Sequence, residues 1–183
     1  MWLTIFPSKR FTHSKDLELM KKKILFVCLG NICRSPAAEG IMQKMLEEQG
    51  IQDRFQLDSA GLYAGHAGEL PDHRIRVHAR KRGYELTHRS RKVKQSDFDE
   101  FDIIIGMDDY NYSGLKEMAP TIEDEKKILR MIDFVNGFPQ YDSVPDPYYE
   151  GAEGFEIVLD LLEDGCRNLI KTLSEPSQTT SGK

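Results

Sequence analysis

An α/β fold, with a parallel sheet and helices on both faces, is predicted by three features of this 183-residue chain. Short apolar runs, Ile24–Cys28 and the isoleucines of Asp102–Met107, read as strands buried on both sides, as parallel strands are. These runs alternate with amphipathic, capped segments, the βαβα order that sets successive strands parallel. The length suits one domain with one core, and no internal repeat is visible.

Each element has its own signal. Ile24–Cys28 (ILFVC) is the first strand. Ser35–Gln49 is a helix, with Ser35 as cap, Pro36 at the first helical position, Glu39 nearby and Gly50 at the end. Arg54–Ala60 alternates polar and apolar residues, which suits an outer strand. Pro71–Arg82 is a helix closed by Gly83, and Ser96–Glu100 is a short capped turn. Asp102–Met107 is a third strand, and Asp108 caps a helix through Met118 that Pro120 stops. Ile128–Met131 is the fourth strand. Glu153–Leu173 is the last helix, with Phe155, Val158, Leu159, Leu162, Cys166, Leu169 and Ile170 on its apolar side.

Composition narrows the class. At 39% hydrophobic and 30% charged, the chain is globular, and no window nears the ~18 apolar residues of a membrane span. A net charge of −5 argues against a nucleic-acid partner. That charge divides unevenly: residues 1–23 carry six Lys or Arg against two acids, a net +4, leaving −9 for the rest. Residues 1–20 show no sustained periodicity, and KKKILFVCLGN after Met20 reads as a natural start, so 1–20 is expected to be a non-core extension. Deleting 1–19 should leave melting temperature and activity unchanged. The domain then spans 21–173, and 174–183 (SEPSQTTSGK) reads as a flexible tail. Trp2–Phe6 is too short for a signal-peptide core, and three cysteines are too few for a disulfide scaffold. The expected location is cytoplasmic.

The chemistry concentrates in Val27–Pro36 (VCLGNICRSP), which joins the first strand to the first helix. In parallel α/β sheets that junction is the ligand end. Gly30 and Asn31, between Cys28 and Arg34, both tolerate left-handed backbone. A tight turn there aims successive N–H groups inward as an anion nest, and the helix N-terminus adds its own. Arg34 can close the cradle on a tetrahedral oxyanion. A cysteine at a helix N-terminus beside an arginine is favoured as thiolate, the attacking form, and Ser35 can donate to it. No Walker Gly-Lys-Ser/Thr follows, so this is not a nucleotide loop. Phosphoryl transfer also needs a general acid. Asp146, stiffened by Pro145 and Pro147 and followed by Tyr148 and Tyr149, is the candidate.

VCLGNICRSPAAE, SAG, the Thr-His of ELTHRSRKV, MDDYN and DPYYEG together resemble the low-molecular-weight protein tyrosine phosphatases, in the right order over about Lys22–Leu173. The resemblance implies a four-stranded parallel sheet of flavodoxin-like order 2-1-3-4. It also implies a cysteinyl-phosphate intermediate and neither metal nor other cofactor. By match, Cys28 is the nucleophile, Arg34 the phosphate-binding and transition-state arginine, and Asp146 the general acid. Leu29, Gly30, Asn31, Ile32, Cys33, Arg34 and Ser35 form the phosphate loop. Asn31, Ser35, Ser59 and His88 form its supporting network, with Asp108 nearby. Tyr148 and Tyr149 supply a substrate wall. Many relatives carry a second aromatic near Gly65–His66; here Tyr63 can replace it from a shifted position. The substrate is then a phosphotyrosine protein or a small aryl phosphate, with inhibition by phosphate or vanadate.

Plainer readings stand beside these. Cys28 alone would be an ordinary strand-end thiol, and Asp146 alone a turn former. Cys33 is either a redox partner for Cys28 or a small residue packed behind the loop. Cys166 reads as core. His66, His73 and His78 carry no pattern and read as surface or loop residues. Arg74–Arg82 (RIRVHARKR) reads as a solvated helix face. Cys28 and Cys33 lack a complementary Cys/His pair at zinc spacing. Three other functions fit the same scaffold. An arsenate reductase needs further thiols, and none lies between Cys33 and Cys166. A phosphoarginine phosphatase tends to have Thr where this chain has Ile32, and to lack the tyrosine pair. A catalytically dead phosphate-binding module would not retain all three central residues.

Overall fold

A computed structural model of the chain describes residues 21–175. The expected extension over 1–20 lies outside those residues, as does the expected tail beyond Glu175. Four strands, β1 (Lys22–Cys28), β2 (Phe55–Gly61), β3 (Ile103–Gly106) and β4 (Ile128–Arg130), form one parallel sheet in the order β2-β1-β3-β4. Among the described residues six helices accompany it: α1 (Arg34–Glu48), α2 (His73–Lys81), α3 (Asp97–Glu100), α4 (Asp109–Met118), α5 (Ile122–Glu125) and α6 (Ala152–Ser174).

The sheet is covered on both faces because β1 is apolar on both. Ile24 and Phe26 join Ile41, Met42 and Leu46 of α1 and Phe155, Leu159 and Leu162 of α6 in one core. Leu25 and Val27 point the other way and join Phe98 and Leu115 in a second. Truncating a side chain as buried as Phe26 would cost about 3–5 kcal/mol, so the strand end carrying Cys28 is rigidly anchored. Gly83 ends α2 in the left-handed region, at φ 87. Among the described residues, no helix is long and apolar enough to cross a membrane.

Some expectations change. Ser35 is not the cap of α1: the cap is Cys33, without a side-chain bond, and Ser35 lies inside the first turn with its hydroxyl drawn toward the phosphate loop. Ser174 belongs to α6 rather than to a tail. The four-residue α5, capped by Thr121, goes unpredicted because it is too short to show a period. His78 is no plain surface residue: its ring stacks on Phe155, and Nδ1 meets Glu156 across the α2–α6 contact.

Candidate active site

β1 ends at Cys28 and α1 begins at Arg34, so residues 29–33 span the gap as a tight loop at the carboxyl end of one of the two inner strands. Asn31, at φ 54, is the one non-glycine residue with positive φ among those described. That conformation turns the chain so that the Asn31 N–H approaches Cys28 Sγ at 3.3 Å. Ser35 Oγ lies 3.1 Å from the same sulfur. Both are groups from which an anionic sulfur accepts hydrogen bonds.

A buried network holds this turn. Asn31 Nδ2 donates to Ser35 Oγ at 2.9 Å and to Ser59 Oγ at 3.0 Å. Asn31 Oδ1 accepts from the Arg91 N–H at 2.9 Å and faces His88 Nε2 at 3.2 Å. The other nitrogen, His88 Nδ1, is 3.1 Å from Glu39 Oε2 and 3.5 Å from Asp58 Oδ1. Ser59 Oγ donates to Glu39 Oε2 at 2.6 Å. Ser35 Oγ, already accepting from Asn31, has its own hydrogen for Cys28 or for the Ala60 carbonyl at 3.2 Å. All four members of the expected network therefore meet. Donor atoms of Glu39, Asp58 and His88 lie within 4.8 Å of one another, the one such group among the described residues. Ser59 and Arg91 already engage the two carboxylates, so the cluster reads as an ion-paired support of the loop rather than a metal centre.

Arg34 is 2% exposed and carries the site's fixed positive charge. Nη1 donates to Asp108 Oδ2 at 2.5 Å and to the Val144 carbonyl at 3.1 Å, and Nη2 donates to Asp146 Oδ2 at 2.8 Å. Nε is buried and has no partner among the described residues. Burial opposes the charge, but neighbouring Cys28, Asp146 and Asp108 outweigh it and hold the guanidinium pKa above its ordinary value. Asp146 caps a 3-10 turn, Pro147–Tyr149, accepting the Tyr148 N–H at 3.2 Å. A thiol, an arginine and a carboxyl thus converge, although Asp146 follows Arg34 by 112 residues.

Above them opens a cleft of about 240 Å³. Leu29, Gly30, Ile32 and Cys33 line it with Cys28, Arg34 and Asp146, and Tyr63, Tyr148 and Tyr149 form its aromatic sides. The vacancy at Gly65 has a physical reason: a Cβ there would lie 2.1 Å from the Tyr63 ring, so glycine makes room for Tyr63. Burial, followed by the charge of Asp72, pushes the Cys33 thiol pKa up. All three cysteines are free, and Cys166 is buried in the core.

Four contributors go unmarked in the sequence. His66 lies in a loop, as expected, and also lines the cleft, where it pairs with Glu69 at 2.9 Å. Glu39 anchors Ser59 and His88 from the second turn of α1. Asp72 donates its N–H to the Ile32 carbonyl at 2.8 Å, and Arg74 reaches the Tyr148 carbonyl at 3.0 Å. Arg74 is thus not simply part of a solvated stripe. The Asp-x-Arg spacing at the head of a helix is the signal that could have marked the last two.

Comparison with known proteins gives the same family from three directions. The family model for low molecular weight phosphotyrosine protein phosphatases matches residues 23–179. A low molecular weight protein-tyrosine-phosphatase of Bacillus subtilis is 38% identical over 85% of this chain and 97% of its own. The crystal structure of an Entamoeba histolytica protein tyrosine phosphatase, with Hepes in its active site, is 45% identical and superposes with a TM-score of 0.81. It covers 84% of this chain and 97% of that one. The crystal structure of a Drosophila arginine phosphatase is 31% identical, covers 84% of this chain and 98% of its own, and superposes with a TM-score of 0.78. Matched over most of its length by sequence and by fold, the chain belongs to the low-molecular-weight phosphotyrosine protein phosphatase family.

Proposed function

We propose that this protein is a protein-tyrosine-phosphatase that hydrolyses phosphotyrosine and small aryl phosphates through a phosphocysteine. The observation that carries the reading is the buried Arg34 guanidinium, which ties the Cys28 loop to Asp146 and keeps a buried Nε free of protein partners. An arginine has five N–H donors, and an unpartnered buried one is costly unless an anion takes it. Cys28 Sγ attacks phosphorus in line while the ester P–O bond breaks, and the Asp146 carboxyl gives its proton to the leaving oxygen. Water then attacks the phosphocysteine, Asp146 takes its proton, and phosphate and thiolate are released. Arg34 and the loop N–H groups hold the non-bridging oxygens throughout. Phosphate and vanadate, tetrahedral oxyanions, compete for the same cradle.

The aromatic sides of the cleft support an aryl ester, and Ile32 with the tyrosine pair supports phosphotyrosine over phosphoarginine. A cytoplasmic location is supported by three free thiols, since Cys28 must stay reduced to attack. Cys28→Ser should abolish turnover and keep vanadate affinity; surviving turnover would refute the nucleophile. A panel of phosphotyrosine and phosphoarginine peptides decides the substrate, and faster release from phosphoarginine would overturn the phosphotyrosine reading.

A further inference from the structure

The turn that carries Asp146 is fastened to the head of α2 by one side chain. Asp72 caps α2, accepting the Arg74 N–H at 2.8 Å, and also grips the guanidinium, Nε to Oδ1 at 3.0 Å and Nη2 to Oδ2 at 2.9 Å. With that edge held, Nη1 is aimed outward and donates to the Tyr148 carbonyl at 3.0 Å. The same guanidinium lies over the Tyr148 ring at 5.2 Å and the Phe155 ring at 5.0 Å.

These contacts close a circuit around the mouth of the cleft. The phosphate loop accepts the Asp72 N–H at the Ile32 carbonyl, and Asp72 grips Arg74. Arg74 holds the carbonyl of Tyr148, whose N–H is held by Asp146 Oδ1. Asp146 Oδ2 returns to Arg34 in the phosphate loop. Pro145 and Pro147 stiffen the turn internally but do not stop it swinging as a body. A proton donor must be placed to within a fraction of an ångström to serve a leaving oxygen. A planar, forked cation can grip a carboxylate, reach a carbonyl and stack on a ring at once; an ammonium cannot.

We infer that Arg74 is a positioning residue for the general acid: by locking Tyr148 on both its backbone and its ring, it sets the angle at which Asp146 meets the leaving oxygen. The inference rests on the reading of Asp146 as that acid, and the experiment separates the two. kcat/KM reports the steps through ester cleavage, so it is measured over aryl phosphates from good to poor leaving groups. Four proteins are compared: wild type, Arg74→Ala, Asp146→Asn and the double variant. Arg74→Ala should slow phenyl phosphate about tenfold and p-nitrophenyl phosphate about twofold or less, because a poor leaving group depends on the acid. Added guanidinium should restore part of the phenyl phosphate rate. In the Asp146→Asn background the same substitution should add no further leaving-group dependence. Arg74→Lys, which keeps the charge and stem, should show the same selective loss and serves if the alanine variant does not accumulate. Parallel slowing of every substrate, or none, in the Arg74 variants would overturn the inference while a steep Asp146→Asn series left the acid standing. A flat Asp146→Asn series would remove the acid, and the positioning role with it.

Discussion

Asn31 combines a left-handed backbone with four side-chain hydrogen bonds, and replacing it in two ways separates those contributions. Asn31→Gly keeps the backbone freedom and removes the side chain. The Arg91 N–H is then left without its acceptor at about 1–3 kcal/mol, and the contacts to Ser35, Ser59 and His88 are lost at about 1 kcal/mol each. Because Ser59 keeps Glu39 and Ser35 keeps Ala60 as acceptors, the sum should fall near 3–5 kcal/mol. Asn31→Ala removes the same bonds and forces a Cβ into the left-handed region, a further ~1 kcal/mol. Both variants free the loop N–H groups from their inward aim, so kcat/KM on p-nitrophenyl phosphate should fall by about 10–100-fold. Urea denaturation gives the stability difference, and vanadate inhibition gives the state of the cradle. Equal stability of the glycine and alanine variants would refute the backbone contribution. Wild-type stability and kcat/KM in Asn31→Gly would refute the network as the support of the loop.

Three other outcomes are expected. Peroxide should convert Cys28 to a sulfenic acid that condenses with the Cys33 thiol, releasing water and forming a disulfide that added thiol reverses. Cys33→Ala should lose that recovery, and recovery at the wild-type level would refute the pairing. Hydrogen bonds from His78 and then Arg82 hold Glu156 below the usual carboxylate range. Its stabilisation is therefore present above the unfolded value of about 4.3 and is lost as pH falls through the lower folded value. The Glu156 side chain is 40% exposed, so Glu156→Gln should lower the melting temperature at pH 7 by no more than about 4 °C, for ~1 kcal/mol or less. That difference should close in acid; a gap that widens below pH 4 would contradict the sign. Gly65→Ala should push the Tyr63 ring out of the cleft, raising KM for aryl phosphates with little change in melting temperature, because Tyr63 is 60% exposed. An unchanged KM would show that Tyr63 is no part of the wall.

What could be read from the chain alone divides by the range of the interactions. The strands were legible because burial on both faces leaves unbroken apolar runs, as at Ile24–Val27. The phosphate loop was legible because one turn must hold the proposed nucleophile, the left-handed residue and the arginine within seven residues, Cys28 to Arg34. Ser35 was misread as a cap because its local signal is that of a cap, while Cys28 and Ala60 offer tertiary partners that win its hydroxyl. Glu39 and Arg74 were missed for a related reason. Their partners Ser59 and Tyr148 lie 20 and 74 residues away; nothing local marks Glu39, and the Asp-x-Arg spacing that could mark Arg74 gives no sign of Tyr148. Tyr63 could be proposed only as a shifted aromatic, since its place depends on the missing side chain at Gly65.

The chain is acidic, yet the proposed substrate is a dianion, and the site shows how one arginine is sufficient. Arg34 faces Asp108, Asp146 and the Cys28 sulfur. With all three deprotonated, the local charge would be negative before the phosphate arrived and would repel it. Asp108 is held by the shorter contact, 2.5 Å against 2.8 Å, and its side chain is 25% exposed against 41% for Asp146. Asp146 is therefore the less tightly held and more solvent-open of the two carboxyls. In the mechanism we propose, Asp146 enters as the proton donor, and carrying that proton would remove one negative charge from the cradle and weaken the hold on Nη2. Nη1 is occupied by Asp108 and the Val144 carbonyl, so the donors left for phosphate are Nε and Nη2, two neighbouring nitrogens matched to two oxygens of one tetrahedral group. On that proposal the proton that arms the acid also frees the cation, and a net −9 over residues 24–183 places no bar on binding a phosphate ester.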